Sequence, residues 1–561
     1  MKAILLLCVT TLHAVVGSSG HEWWRTMSLY QVYPRSYKDS NGDGLGDIKG
    51  IISKLDHMTE SHIDAFWVSP FYSSPMVDFG YDISDYRSIF PAFGTMKDFE
   101  DMVKAAHSKN LKVVIDFVPN HTSDQHEWFQ KSLKNIKPYS DYYVWHEGRK
   151  LENGTRAPPN NWISIFGGSA WTWRPERNAY YYHQYTKEQP DVNYFNEDLV
   201  QEMKDILKFW LDKGIDGIRV DAAARLCENQ TFADEPLSGL TNDPNNFAYT
   251  VKIYTRDHPR NYEIVRGWSK VLAQYEGDKV MMIEAYTDLN HTMEFYDAGA
   301  SYPFNFAMVI NLNSNSTAKD WKFIVDRWID NMPKGATPNW VAGNHDNSRL
   351  VTRLGPDRAR AITAMTFILP GVTVTYNGDE IGMEDTWVSY KNTQDPHGCN
   401  EGPEGYEKTS RDPVRSPFQW DATTSAGFST NAKTWIPVND DYKTVNLASE
   451  KKDKDSFYNF YNSLAILKKV NPAVRKGNLT DKLLTDNVLY IARETVSQGA
   501  VYAILNVANS TEVVDLSEIQ KPKCKLRVYY ASAGFGLKKG ALLCNESVKV
   551  PPYGTLVLTR H

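Results

Sequence analysis

The sequence contains little cysteine, with five in 561 residues, and it has no long apolar run after Val16. So little cysteine excludes a small scaffold built on disulfides. A membrane-spanning helix needs about 20 consecutive apolar residues, and no segment after Val16 supplies them. The net charge of −6 is mild for this length, so the charge does not favour nucleic acid or an acidic membrane as a partner. Internal repeats and low-complexity tracts are also lacking. The length predicts two or three domains, or one large barrel with additions.

The N-terminus, by contrast, has a definite pattern. Lys2 is followed by an apolar run at residues 3–16 and then by small residues at 17–20. This pattern is typical of a secretory signal peptide, so we expect residues 1–20 to be removed and the protein to be secreted. Residues 551–561 read as a strand rather than as the hydrophobic tail of a lipid-anchor signal.

Secretion permits disulfides and glycans. Cys8 leaves with the signal peptide, and Cys524 and Cys544, which lie close together in a β-rich region, are the predicted disulfide. The sequence alone does not decide whether Cys227 and Cys399 form a second disulfide. Sequons at Asn120 and Asn290 fall at predicted strand ends and are expected to be unused. The predicted glycosylation sites are Asn153, Asn229, Asn315, Asn478, Asn509 and Asn545.

Apolar β-rich runs alternate with amphipathic helical stretches through much of the chain. Helical spacing is present at residues 96–109, 200–213 and 358–367. The predicted strands are residues 28–34, 65–69, 112–118, 215–221, 279–285, 304–310, 340–343 and 372–376. Eight such units predict an α/β fold, a (β/α)8 barrel.

The connection after the third strand is too long for an ordinary barrel loop, because about seventy residues lie between that strand and the next helix. It is rich in Pro, Gly, Asn, Trp and Tyr and predicts a small inserted domain. From about Thr485 onward the helix signal fades into short strands, which suggests a terminal β-sandwich. The predicted organisation is a signal peptide at 1–20, the barrel at 21–122 and 196–484, the insertion at 123–195 and the sandwich at 485–561.

Polar residues end four of the predicted strands. They are residues 116–121 at the end of the third strand, Asp221 on the fourth, Glu284 on the fifth and residues 344–346 after the seventh. Because the carboxyl ends of barrel strands meet at one mouth, we expect these groups to face one another. Each one alone has an ordinary structural explanation, such as helix capping, but all four together favour an active site.

Two carboxyl groups at one mouth suit glycoside hydrolysis, in which one attacks as an anion and the other donates a proton to the leaving oxygen. Arg219 lies on the same face of its strand as Asp221, so we expect it to lower the pKa of Asp221 and keep it ionised. Glu284 follows three apolar residues, a setting that raises a carboxyl pKa. Asp221 is the candidate nucleophile and Glu284 the candidate acid/base, on neighbouring strands that favour the retaining geometry.

A second site is predicted near the N-terminus. Residues 39–47 place oxygen donors at alternate positions with glycines for the turn, a spacing that suits Ca²⁺. The full twelve-residue helix–loop–helix pattern is absent, because its twelfth position is Gly50 rather than Glu. A polar, glycine-rich turn without metal is the alternative. The predicted ligands are Asp39, Asn41, Asp43, Leu45 through its carbonyl, and Asp47.

The strand-end motifs resemble those of the α-amylase family, glycoside hydrolase family 13, and within it the α-glucosidases (maltases) of insects. The resemblance runs from about residue 21 to the end of the chain. It rests on DFVPNH at 116–121, GIRVDA at 217–222, IEA at 283–285 and GNHDNSR at 343–349. QPDVNY at 189–194 resembles the marker of the α-glucosidase branch. The resemblance implies a (β/α)8 catalytic domain, a domain inserted after the third strand and a C-terminal antiparallel β-sandwich.

The resemblance also implies roles for single residues. Asp221 matches the nucleophile, Glu284 the acid/base and Asp346 the stabiliser of the transition state. Asp78 and Arg411 match an ion pair that closes the pocket floor in members acting from the non-reducing end. The other implied substrate-binding residues are Tyr81, His121, Phe166, Tyr185, Gln189, Arg219 and His345.

We therefore expect a secreted, retaining exo-α-glucosidase that releases terminal α-1,4-linked glucose from maltose, sucrose and short α-glucosides. The small Ala222 after the nucleophile is, in this family, associated with α-1,4 or sucrose-type bonds rather than α-1,6 bonds. Two alternatives are an inert binding or receptor protein on the same scaffold and an endo-acting α-amylase. The complete set of catalytic positions argues against the first, and the closed floor argues against the second.

Overall fold

The computed structural model describes residues 22–519, 526–544 and 547–560. The predicted signal peptide, Cys524 and Asn545 lie outside these residues. At the centre is an eight-stranded parallel sheet in the order β6-β5-β4-β3-β2-β1-β8-β7. Its strands are β1 Ser28–Val32, β2 Ala65–Val68, β3 Lys112–Phe117, β4 Gly217–Val220, β5 Val280–Ile283, β6 Tyr302–Pro303, β7 Asn339–Val341 and β8 Val372–Tyr376.

The sheet curls into a barrel, and a side chain bridges its last gap. The side-chain amide of Asn339 on β7 donates to the carbonyl of Pro303 on β6 at 2.6 Å and accepts from the backbone N–H of Asn305 at 2.8 Å. Pro303 has no N–H to offer a ladder, so a side chain in place of a strand partner is expected at this edge. The predicted (β/α)8 barrel is confirmed.

Helices surround the barrel, and the sequence marks their ends. The side chain of Asn196 caps the helix Glu197–Asp212, and Gly214, at φ +91°, follows its end in the left-handed conformation. Thr95 and Asp98 form a capping box at the start of Met96–Ser108. The other barrel helices are Ile48–Ser53, Leu55–Glu60, Pro259–Leu272, Leu289–Asp297, Ala318–Asn331, Leu350–Leu354, Pro356–Ile368 and Phe457–Val470. Shorter or peripheral helices are Pro34–Tyr37, Glu127–Leu133, Ala307–Ile310, Pro396–Thr409, Leu447–Glu450 and Pro472–Lys476.

One predicted barrel strand is wrong. The sixth strand is Tyr302–Pro303 rather than residues 304–310, and Ala307–Ile310 is a short helix. The apolar run at 304–310 packs onto the barrel instead of joining its ladder, with Phe304, Phe306 and Val309 buried in one cluster. A short apolar run alone does not separate a buried strand from a buried helical turn.

The insertion after β3 has a small core of its own. It contains a three-stranded antiparallel sheet, Trp145–His146, Ala179–Tyr182 and Trp171–Arg174, and a ribbon, Arg149–Lys150 with Arg156–Ala157. Aromatic side chains such as Trp162, Trp171 and Tyr182 fill its interior. The helix Glu127–Leu133 also belongs to the insertion. Ile165, Phe166 and Tyr185 of this insertion line a cavity at the carboxyl ends of the barrel strands.

The C-terminal part is antiparallel. A six-stranded sheet runs in the order Asn478–Thr485, Val488–Glu494, Ala500–Asn506, Thr555–Arg560, Leu526–Ala531 and Leu542–Leu543. One face shares a core with the two-stranded sheet of Glu512–Asp515 and Ser547–Val550, and the other packs against barrel helices. The two layers form a small sandwich, whose first strand begins at Asn478.

Within the described residues no helix is both long and apolar enough to cross a membrane. In that same part of the chain, Cys227 is buried and Cys399 exposed, and neither is in a disulfide. The predicted pairing of Cys524 with Cys544 stays a prediction, because Cys524 lies outside the described residues. Asn290 is exposed in the first turn of the helix Leu289–Asp297 rather than at a strand end, which corrects its expected placement.

Candidate active site

The barrel register places the two candidate catalytic carboxyls side by side. Val220 pairs with Ile283, so Asp221 and Glu284 are the next residues along neighbouring parallel strands. The backbone continues the contact, because the N–H of Glu284 donates to the carbonyl of Val220 at 2.9 Å. Strands pair at about 4.8 Å, so the register alone brings these two side chains to one spot at the mouth.

Arg219 contacts three carboxyl groups of the site. Its buried guanidinium donates to Asp221 Oδ1 at 2.5 Å and to Asp116 Oδ1 at 2.7 Å, and its Nη2 lies 3.2 Å from Glu284 Oε1. Arg219 pairs with Asp116 in the ladder between β3 and β4. One cation is therefore shared by three buried carboxyl groups. A single positive charge does not balance three negative charges, so protonation of part of the group is favoured.

The pKa values order the two carboxyls. Burial is the largest effect on Glu284 and raises its pKa to about 8, against the lowering influence of Arg219. Burial also raises the pKa of Asp221, and the expected net lowering by Arg219 is wrong, because desolvation and the negative charge of Asp116 outweigh the guanidinium. Arg219 lies closer to Asp221 than to Glu284. The last proton of the pair therefore stays on Glu284.

The backbone at Ala222 supports Glu284. Ala222 adopts the left-handed conformation at φ +50°, which costs a non-glycine residue about 1–2 kcal/mol. In this conformation its N–H donates to Glu284 Oε2 at 2.7 Å. Strain of this kind persists where the surrounding structure holds it, often at functional sites. It fixes one carboxyl oxygen of Glu284 and leaves Oε1 toward Arg219.

Asp346 lies in the most cationic part of the site. Its Oδ1 is 3.0 Å from Arg415 Nη2 and 3.4 Å from Arg411 Nη1, and its Oδ2 is 3.4 Å from His345 Nε2. Burial alone would raise the pKa of Asp346, but these neighbours outweigh burial and hold it well below the usual range. Asp346 is therefore an anion whenever Asp221 and Glu284 titrate.

An ion pair closes the bottom of the site. Arg411 Nη2 lies 2.7 Å from Asp78 Oδ1 and 2.5 Å from Asp395 Oδ1. Gln189 donates to Asp78 Oδ2 at 3.2 Å and lies 3.1 Å from His121 Nε2. The two partners Asp78 and Arg411 are 333 positions apart in the sequence. The floor therefore joins the β2 side of the barrel to the segment after β8.

A hydrogen-bond chain runs under the pocket. The amide of Gln31 donates to His345 Nδ1 at 2.7 Å, and His345 Nε2 lies 2.7 Å from the hydroxyl of Tyr81, which donates to Asp116 at 3.2 Å. Burial lowers the pKa of His345 to about 3, so the ring is neutral and its Nε2–H donates to Tyr81. Tyr81 and His345 also stack, with ring centroids 5.5 Å apart. These hydrogen bonds link Gln31 on β1 and Asp116 on β3 through Tyr81 and His345, which lie in the segments after β2 and β7.

These residues enclose a cavity of about 330 Å³, at the small end of ligand pockets. Its walls include every predicted catalytic and substrate-binding residue except Gln189 and Arg219, which support the wall from behind. Sequence reasoning missed several lining residues and supports. They are Ile165, Arg225, Phe247, Tyr286 and Asn347 in the wall, and Gln31, Asp116, Asp395 and Arg415 behind it. Asp116 and Asn347 lie within the DFVPNH and GNHDNSR motifs, whereas Phe247 and Asp395 have no local signal.

Two places hold groups suited to a cation. In residues 39–47 the carboxylates accept N–H groups of their own loop, such as Gly42 to Asp39 at 2.7 Å and Leu45 to Asp43 at 2.8 Å. Elsewhere in the described chain, ligand atoms of Asp257, Asp288 and His291 lie within 4.8 Å of one another. That second group does not line the cavity, and Asp257 is bonded to the neighbouring Arg256.

Comparison with known proteins agrees with this geometry. Residues 31–477 match the family model described as the catalytic domain of α-amylase. The chain belongs to the α-amylase family. It is 52% identical to the α-glucosidase of Apis mellifera, over 100% of this chain and 98% of that protein. It is 44% identical to a salivary α-glucosidase of Anopheles gambiae, over 90% of this chain and 88% of that protein.

A solved structure extends the likeness of this α-amylase family chain to three dimensions. The chain superposes on an α-glucosyl transfer enzyme, XgtA, with a TM-score of 0.86 and 33% identity, over 97% of this chain and 100% of that one. Barrel, insertion and C-terminal sheet are therefore all within the matched length. The chain is a glycoside hydrolase by family.

Proposed function

We propose that the protein is an exo-acting, retaining α-glucosidase that releases terminal non-reducing α-linked glucose, from the α-1,4 bonds of maltose and short oligosaccharides and from sucrose. The observation that carries this proposal is the pairing of Asp221 with Glu284 under one guanidinium, inside a cavity whose floor is the Asp78–Arg411 ion pair. The insect relatives, which are named as α-glucosidases, support it.

The proposed chemistry uses Asp221 and Glu284 in two steps. The Asp221 carboxylate attacks the anomeric carbon while Glu284 gives its proton to the departing oxygen, which breaks the glycosidic bond and leaves a glucosyl ester on Asp221. Glu284, now ionised, takes a proton from water, and the water oxygen displaces Asp221 from the anomeric carbon. The two displacements restore the α configuration. Adjacent strands support this retaining route, because retaining carboxyls lie about 5–5.5 Å apart.

Asp346 and the floor complete the proposal. Asp346 remains ionised and lies at the mouth, 23% exposed in its side chain, where it can bind ring hydroxyls and stabilise positive charge in the transition state. Asp78 and Arg411 give the terminal glucose a closed end and leave no room for chain beyond it. A closed end favours exo over endo action.

A product assay tests the proposal. Purified protein is given maltose, sucrose, isomaltose and soluble starch, and the first glucose released from maltose is followed by proton NMR. We expect glucose from maltose and sucrose, with the α anomer appearing first. Rapid cutting of starch with little release from disaccharides would favour an endo-amylase instead. Binding of sugars without turnover would favour the inert binding protein.

We also propose that the protein is secreted. The support is the signal-peptide pattern at residues 1–20 and the salivary α-glucosidase among the relatives. Exposed sequons at Asn153, Asn315, Asn478 and Asn509 lie on the surface, where glycosylation requires them. Expression of the full chain in insect cells should place active protein in the medium, with N-terminal sequencing placing the cleavage near residue 20 and glycosidase treatment lowering its mass.

A structural Ca²⁺ at residues 39–47 is a further part of the proposal. All five candidate ligands offer oxygen, which is the donor type that Ca²⁺ prefers. Burial acts to raise the pKa of Asp39, but hydrogen bonds from Ser429 and the loop N–H groups outweigh it and hold the pKa below its usual range. Asp39 is therefore held as an anion, which is the form that binds a cation. The loop also docks on the segment near Ser429, whose hydroxyl donates to Asp39 at 2.6 Å.

Elemental analysis and melting curves test this ion. We expect about one Ca²⁺ per chain, and a lower melting temperature after treatment with a chelator. The Asp43→Ala variant should lose the ion and melt at the chelated value. A protein without calcium, with unchanged melting in the variant, would contradict the proposed ion and leave the glucosidase proposal untouched.

A further inference from the structure

The long loop between β4 and the helix Pro259–Leu272 is bound to the inserted domain. The indole of Trp162 donates to the carbonyl of Ala233 at 2.9 Å, and the N–H of Gly168 donates to the carbonyl of Asn245 at 2.8 Å. Asn161 adds a hydrogen bond to the carbonyl of Glu235 at 2.9 Å. The loop and the inserted domain thus form one continuous wall around the barrel mouth.

Phe247 is the part of this loop that reaches the cavity. It lies in the wall of the same cavity as Asp221 and Glu284 and remains half-buried. The floor residues are buried more deeply, with Asp78 3% and His345 1% exposed. Burial therefore falls from the floor toward Phe247, which places this ring at the opening. The Asp78–Arg411 pair occupies the more buried end of the cavity, so we expect the leaving group on the side of Phe247.

Lys252 holds Phe247 in place. Its ammonium donates to the carbonyl of Phe247 at 2.7 Å and to the carbonyl of Thr250 at 3.2 Å, and it lies 4.3 Å from the centroid of the Phe247 ring. Glu235, itself only 2% exposed, lies 3.7 Å from this ammonium. The guanidinium of Arg225 is a second cation near the ring, 5.4 Å from the centroid of Phe247. An aromatic ring flanked by two cations, and tied through its own carbonyl, is a positioned group.

We propose that Phe247 is the apolar wall against which the leaving group packs, and that Lys252 is the residue that positions it. The leaving group is a second hexose ring, glucose from maltose or fructose from sucrose, whose C–H surface suits an aromatic side chain. This inference rests on the proposed glucosidase function. It adds a determinant of leaving-group recognition on a segment that no strand-end motif reaches.

Glucosyl fluoride separates this role from the rest of catalysis. Its leaving group is a single fluoride ion, so it fills the glucose pocket and places nothing beside Phe247. In the Phe247→Ala variant we expect kcat/KM for maltose and sucrose to fall roughly 5- to 10-fold, the equivalent of one aromatic contact. The value for α-glucosyl fluoride should stay within about twofold, as expected when the reacting pocket is intact.

Matched variants sharpen the test. Leu240 is 80% exposed on the same loop and provides the control Leu240→Ala, which should leave kcat/KM unchanged for maltose and for α-glucosyl fluoride. Lys252→Met should reproduce the Phe247→Ala pattern, mainly by raising KM for maltose. Lys252→Arg keeps the cation and should therefore retain part of the parental kcat/KM for maltose. If the role of Lys252 were purely structural, its loss would instead lower kcat/KM for maltose and for α-glucosyl fluoride together.

Two results would overturn the inference: an equal loss on maltose and glucosyl fluoride in Phe247→Ala, or no loss on either. Failure of the parent protein to hydrolyse glucosyl fluoride would be a different outcome, because it would remove the proposed function itself. Melting temperatures measured on each variant show whether a loss on both substrates comes from unfolding.

Discussion

At the scale of single residues, the site depends on how one guanidinium is shared. Arg219 contacts Asp116, Asp221 and Glu284. Burial raises the pKa of these carboxyl groups, and the positive charge of Arg219 acts to lower it. The identity of the two catalytic carboxyls was predictable, because each ends a strand and their strands are neighbours. The balance between desolvation and charge was not, because it depends on Asp116 from a third strand.

Substitution of each carboxyl should separate their roles. Asp221→Asn removes the nucleophile, so we expect kcat to fall by on the order of 10³-fold or more on maltose and on glucosyl fluoride alike. The amide oxygen still accepts from Arg219, so the melting temperature should change little. Glu284→Gln removes the proton donor of the first step and the base of the second. The first burst of fluoride from glucosyl fluoride, which needs neither, should therefore be slowed much less than the cleavage of maltose. Near-normal turnover by Asp221→Asn would show that the nucleophile is another residue.

The pH profile should have an alkaline limit set by Glu284. Its pKa is raised to about 8, so the proton donor persists well above the pH at which an ordinary glutamic acid ionises and is lost as pH rises through about 8. We expect kcat/KM for maltose to fall through that range. The fall should be weaker for glucosyl fluoride, since fluoride needs less proton donation. An alkaline limit near the ordinary glutamic acid pKa would contradict the buried environment of Glu284.

At the scale of elements, the alternation of strands and helices was predictable from period and capping signals. The helical spacing at residues 200–213 falls in the helix Glu197–Asp212, which Gly214 follows in the left-handed conformation, and β8 has the predicted bounds. The sixth strand was not predictable, because an apolar run beside a closing edge packs as a turn of helix. The hydrogen bonds of the Asn339 side chain with Pro303 and Asn305 show where the barrel closes.

The contact between β4 and β5 should tolerate no added methyl group. A Cβ on Gly217 would lie 2.3 Å from the carbonyl oxygen of Val280, so the two strands would have to separate. We expect Gly217→Ala to destabilise the fold by about 1–3 kcal/mol, seen as a lower melting temperature, with reduced kcat because β4 carries Asp221.

Gly267 provides the matched control. It lies in the helix Pro259–Leu272, where the nearest atom to an added Cβ is the flexible Lys204 Cε at 3.3 Å. Gly267→Ala should melt at the parental temperature or slightly above, because alanine favours helix. Equal melting of the two variants would contradict the close approach of β4 to β5.

At the scale of the whole molecule, the C-terminal sheet is joined to the barrel by a buried arginine. Arg493, 1% exposed, donates to the carbonyl of Ile368 at 2.8 Å and to that of Gly477 at 2.8 Å. Arg493→Met keeps the apolar stem but leaves these carbonyls unpaired, at a cost of about 1–3 kcal/mol each. We expect a lower melting temperature with KM for maltose unchanged, since the site is elsewhere.

Arg560→Met is the control for that substitution. Arg560 forms a partly exposed pair with Glu494 at 3.2 Å, and surface pairs contribute about 1 kcal/mol or less. It should therefore melt close to the parent. A change in KM without a change in melting for Arg493→Met would indicate that the C-terminal sheet influences the pocket directly.

The sequence by itself determined the barrel, the order of its strands and the residues at their carboxyl ends, because hydrophobic period and capping are local properties of the chain. The tertiary structure alone decided the charge balance around Asp221, the strained N–H of Ala222 that holds Glu284, and Phe247 at the mouth. The Asp78–Arg411 floor was implied by resemblance, and folding brings together partners 333 positions apart. These features depend on burial and on distances across the fold, which no local pattern contains.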